Sequence, residues 1–107
     1  MIELINQLRI QLSELLGIPA DYKFKLNLRY GQKSDDVKYL QIFLKSQGKD
    51  IYPEGIVSGW FGPLTKAAVI RFQEKHETKI LVPWGLIKGN GFVGKKTTEK
   101  INEILGR

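Results

Sequence analysis

Cysteine is absent from the 107 residues. That excludes a disulfide framework and any thiolate metal site. A single histidine, His76, has no second imidazole or thiol to share a metal with. No apolar run approaches the roughly 20 residues needed to cross a bilayer, and no run of five basic residues occurs. Met1 leads into Glu3, Asn6 and Gln7 rather than into a basic and then an apolar stretch, so no signal peptide is visible. Nucleophile–base sets, a phosphate-cradling glycine loop and the H-E-x-x-H pattern are likewise missing. These gaps leave no candidate catalytic residue, metal site or cofactor motif in the sequence. What remains is one modest core's worth of chain, 42% apolar, with a net charge of +6 that favours an anionic partner.

The chain is organised around Gly59–Gln73. Gly59 and Gly62 bracket Trp60 and Phe61, which implies a tightly bent backbone. Pro63 suits a first helical position. Leu64, Ala68 and Phe72 recur every four residues, with Ala67 and Ile70 alongside, and predict the apolar face of a central helix over 63–75. Ser34 is a good N-cap for a helix over 34–47, and Asp35 and Asp36 complement its dipole. Val37, Leu40, Phe43 and Leu44 mark its inner face, with Gln41 beside them, and Gly48 stops it. A last helix is expected over 95–105, with Thr98, Ile101, Ile104 and Leu105 as its stripe.

Met1, Ile5, Leu8, Leu12 and Leu15 have coiled-coil spacing. They predict an N-terminal amphipathic helix over 1–17, followed by the main domain over 18–107. That helix is suited to packing on the domain, to self-association or to contact with a parent protein. Tyr22, Phe24, Leu26 and Leu28 alternate with polar residues, which fits a short strand or an extended segment laid on the bundle. The loop 49–61 carries much apolar surface, some of which must pack inward. Pro83-Trp84-Gly85 and Gly89-Asn90-Gly91 admit a short hairpin near 80–93. The fold expected is all-α: a closed three-helix bundle with long ordered loops and an extra N-terminal helix.

Phe61-Gly62-x-x-Thr65 is echoed 32 residues later by Val93-Gly94-x-x-Thr97. Two loop–helix units therefore share one opening geometry, and Thr65 and Thr97 are expected to tie turn to helix.

In this order, the residues resemble the type 1 peptidoglycan-binding domain family. Leu28, Gly31, Asp36, Val37, Leu40, Gln41 and Leu44 fit its first half. Gly59, Phe61, Gly62, Thr65, Ala68, Val69, Phe72 and Gln73 fit its second, and Gly94 and Thr97 its close. The resemblance spans about residues 26–105. Ser58 stands where the family usually has an acidic residue, and the two connections are longer than usual. The resemblance implies a non-catalytic peptidoglycan-binding module in the envelope or secreted space, anchoring a longer exported protein. Binding a glycopeptide needs flat apolar surfaces, amides and cations. The candidates are Tyr52, Trp60, Arg71, Gln73, Trp84 and Asn90. Two alternatives from other classes are a basic nucleic-acid-binding domain of winged-helix type, using Lys66, Arg71 and Lys75, and a protein-interaction domain that kept the fold and lost wall binding.

Overall fold

The computed structural model describes residues 17–77 and 88–107. All but the last residue of the N-terminal helix expected over 1–17, Trp84 and most of the hairpin expected near 80–93 lie outside the described residues. Among those described, three helices and no strands are present: α1 (Asp35–Ser46), α2 (Pro63–Lys75) and α3 (Lys95–Leu105). The architecture is an all-α three-helix bundle, and no helix in it is long and apolar enough to cross a membrane.

Local chemistry sets each boundary. The Ser34 hydroxyl accepts a hydrogen bond from the Val37 N–H at 3.2 Å, and Asp35 and Asp36 fill the first turn of α1. Gly48 ends that helix in the left-handed region at φ +110°. Pro63 opens α2 directly after Gly62. Gly106, at φ +75°, closes α3.

The core gathers Val37, Leu40, Phe43 and Leu44 from α1, Ala68, Val69 and Phe72 from α2, and Ile101 from α3. Phe43 and Phe72 meet edge to face at 5.4 Å between ring centroids. The connections contribute Phe24, Leu28, Ile51, Tyr52, Phe61 and Val93, so the long loops are part of the core. Each large apolar side chain buried this way contributes about 1.5–3 kcal/mol before entropy is counted.

The alternation at 22–28 becomes an extended segment laid on the bundle. Phe24 and Leu28 face inward and Leu26 outward. The segment is held at both ends. Phe24 exchanges two backbone hydrogen bonds with the buried side-chain amide of Asn102, at 2.9 and 2.8 Å. Leu28 exchanges two with the backbone of Val93, at 3.0 and 2.8 Å. Tyr22 donates its hydroxyl to Asp36, and burial first, then that carboxylate, raises the phenol's pKa well above its usual value.

Two expected helix faces need correction. Leu64 is 43% exposed, and Ala67 and Ile70 are half-buried. The inner face of α2 is instead Thr65, Ala68, Val69, Phe72 and Gln73. On α3, Ile104 is exposed and Leu105 half-buried, while Thr97 and Asn102 join Thr98 and Ile101 inside. The reason is the same in both helices. Polar residues take inward positions because partners on distant segments satisfy them.

Candidate functional site

The region that binds these elements together is a glutamine-latched corner. Gln41 projects from α1 into the turn that leads into α2, and its amide fills all four of its hydrogen-bonding positions. Its Oε1 accepts from the Ser58 and Gly59 N–H groups, both at 2.8 Å. Its Nε2 donates to the Trp60 carbonyl at 2.8 Å and to Thr65 Oγ1 at 3.0 Å. Ser58 Oγ accepts from the Trp60 N–H at 3.2 Å. Gly59 adopts φ +84°, a conformation that favours glycine.

The whole device recurs 32 residues on. Gln73 Oε1 accepts from Asn90 and Gly91 N–H, both at 3.0 Å. Its Nε2 donates to the Phe92 carbonyl at 2.8 Å and to Thr97 Oγ1 at 3.2 Å. Asn90 Oδ1 accepts from the Phe92 N–H at 2.9 Å. Gly91, at φ +77°, matches Gly59. The echo expected from Phe61-Gly62-x-x-Thr65 is therefore part of a longer one, running from Gln41 and Gln73 to the two threonines. The threonines tie each turn to the preceding helix through the glutamine amide.

In both corners an aromatic side chain takes no part in the latch and faces outward. Trp60 is 48% exposed and Phe92 40% exposed. Each lies against the glycine two residues on. A Cβ at Gly62 would come within 2.5 Å of Trp60 Cζ3, and one at Gly94 within 3.0 Å of Phe92 Cε1. Beside the first corner, Trp60, Ile56, Leu64, Pro63 and Tyr52 line a shallow groove with Ser58 and Thr65 in its wall.

Of the residues expected to contact a ligand, Trp60 sits at that groove with its ring exposed. Tyr52 lines the groove but is buried, and its hydroxyl donates to the Ile56 carbonyl at 2.6 Å. Arg71 is exposed and donates to the Ile51 carbonyl at 3.2 Å, which holds the first long loop to α2. Gln73 is 1% exposed, with its amide occupied by the second latch. Asn90 is exposed at its own corner, where its side chain braces Phe92. Trp60 and Tyr52 thus share one groove, while Gln73 and Asn90 share the other corner.

His76 caps the end of α2, as its position suggests, and its ring meets that of Phe72 at 4.7 Å. Its Nε2 is buried with no hydrogen-bond partner among the described residues. Burial, with Lys100 and Lys75 adding to it against Glu103, lowers its pKa. No group of three or more acidic or imidazole side chains able to hold a metal occurs among the described residues.

Sequence reasoning left Phe92 and the latching role of Gln41 unassigned. The signal that carried them was the full 32-residue register: glutamine to glutamine, glycine to glycine, aromatic to aromatic.

No curated protein and no solved structure matches the chain. Residues 33–80, from just ahead of α1 to just past α2, match the family model described as putative peptidoglycan binding domain, the family that the sequence resembles.

Proposed function

We propose that the chain is a non-catalytic module that holds peptidoglycan and anchors a larger protein to the cell envelope. The observation that carries this reading is the Trp60 corner. A flat indole ring is seated over a glycine, half exposed, at the edge of an apolar groove whose backbone is fixed by Gln41. An aromatic face of this kind suits a sugar ring and its N-acetyl group, and a rigid loop loses little entropy on binding. The net charge of +6 complements stem-peptide carboxylates. The family match over 33–80 supports the same class of ligand. A single domain with a shallow groove binds weakly, so anchoring gains from further contacts or copies in a longer protein.

The test is co-sedimentation with purified sacculi at moderate salt, with duplex DNA run in parallel. Retention on sacculi is expected, and Trp60→Ala lowers it by about tenfold, roughly 1.4 kcal/mol, while the melting temperature stays within about 3 °C. Loss of fold in that variant would make Trp60 a structural residue. Steeply salt-dependent DNA binding without sacculus retention would reject the wall reading.

A further inference from the structure

We infer that the Phe92 corner is a second seat for the same anionic glycopeptide, so that one domain holds the polymer at two places. This rests on the wall-binding reading above, and it concerns residues beyond the matched segment 33–80.

The argument begins with what the latch does not require. Gln41 and Gln73 use the backbone of residues 58–60 and 90–92 and the hydroxyls of Thr65 and Thr97. The side chains of Trp60 and Phe92 contribute nothing to those bonds, yet an exposed aromatic ring stands at both places. The helix-capping glycines point the same way. Gly62 and Gly94 have φ −100° and −99°, which any residue can adopt. A Cβ at Gly62 would meet the Trp60 ring at 2.5 Å and one at Gly94 the Phe92 ring at 3.0 Å, close enough that each ring would have to give way. Each corner therefore has an outward ring lying close to a backbone position that carries no side chain. Burial does not account for that arrangement, and a planar ligand does.

The charge around Phe92 fits the acidic part of such a ligand. α3 opens with Lys95 and Lys96 and has no acidic residue in its first turn, against the preference of the helix dipole. α1 opens with two aspartates. Lys96 pairs with Glu99, whereas Lys95 and Lys66 have no carboxylate partner among the described residues. Lys66 lies across Gly91, where a Cβ would come within 2.7 Å of its Cγ, and its ammonium is 5.9 Å from the centroid of the exposed Tyr30 ring.

The two seats are also near each other. Residues 28–32 bond to Val93 through Leu28 and to Phe61 through Gly31 and Gln32. The reach of four residues then places the two corner backbones within about 20 Å, with Tyr30 on the segment between them. A sugar resting on Phe92 with a stem-peptide carboxylate at Lys95 or Lys66 is the occupancy this geometry fits.

The test is an amide NMR titration of the full chain with a soluble disaccharide-tetrapeptide. Amides of 59–64 and 91–96 are both expected to move. Phe92→Ala should abolish movement at 91–96, spare 59–64 and weaken sacculus retention about threefold, with a further loss when combined with Trp60→Ala. Amidating the stem carboxylates should reduce movement at 91–96 more than at 59–64. Movement confined to 59–64 in the unaltered chain would overturn the second seat and leave the wall-binding reading standing. So would movement at 91–96 that survives Phe92→Ala. If neither corner moves and sacculi do not retain the chain, both readings fail together.

Discussion

The corner latched by Gln41 and the corner latched by Gln73 are the same hydrogen-bonded object built from different residues. Ser58 and Asn90 do one job with a hydroxyl and an amide: each accepts from the N–H two residues on. Phe61 and Val93 both fill the core from the same register. Pro63 and Lys95 open the following helices. The surroundings differ more. Arg71 and the Tyr52 hydroxyl brace the approach to the first corner. In the second, a Cβ at Gly89 would come within 2.7 Å of the Ile70 carbonyl oxygen, so that loop is seated directly on the α2 backbone. The difference teaches that glutamine, glycine and threonine define the corner. The residues between them are free to set what the surface offers.

The largest effect is expected where the two units share a wall. Phe72 is fully buried one residue before Gln73 and packs on Phe43 of α1. Phe72→Ala should cost about 3–5 kcal/mol in a urea unfolding titration. A loss below about 1 kcal/mol would mean that the units do not share a core there.

The next test compares the latches directly. Gln41→Ala and Gln73→Ala each leave two backbone N–H groups and a carbonyl without their partner. Each should cost about 2–4 kcal/mol, because an unsatisfied buried group costs about 1–3 kcal/mol. Similar losses would confirm equivalence. A loss for Gln73→Ala below about a third of that for Gln41→Ala would break the comparison.

Smaller changes are expected beneath the rings. Gly62→Ala and Gly94→Ala keep an accessible backbone conformation but push the aromatic off its seat. Each should alter stability by about 1 kcal/mol or less. The contact is closer at Gly62, so Gly62→Ala should reduce sacculus retention more than Gly94→Ala does.

The smallest effect concerns pH. The folded-state pKa of His76 lies below its unfolded value of 6.5, so the unfolded chain takes up the proton first. Stability should therefore fall as pH drops below 6.5, and this contribution should level off below the folded-state pKa. His76→Gln should flatten that part of the melting-temperature profile. A profile that keeps the same slope would assign it to other groups.

The helix boundaries were legible because their signals are local. Ser34, Pro63 and Gly94 each stand at the start of the helix they open, and Gly48 just past the close of α1. The inner face of α2 was not legible from its own periodicity. Thr65 and Gln73 look like surface residues until their partners are known, and those partners lie 17 to 24 residues away. Half of the repeat was visible as glycine and threonine. Its organising glutamines were legible only as family residues, Gln41 beside an apolar face and Gln73 as a ligand contact. Trp60 stood out by composition, a tryptophan in a glycine turn. Phe92 did not, because its significance comes from its register with Trp60.

The clasp between residues near 20 and the end of α3 has a mechanical consequence. Beyond the Phe24–Asn102 pair, the Arg107 guanidinium donates to the Pro19 and Tyr22 carbonyls at 3.1 and 3.0 Å. Whatever is joined at either side of the domain is therefore tethered at one spot, as to a stud. Tension between two such attachments would load this small set of hydrogen bonds first, ahead of the Leu28–Val93 pair that ties the same segment to the second corner.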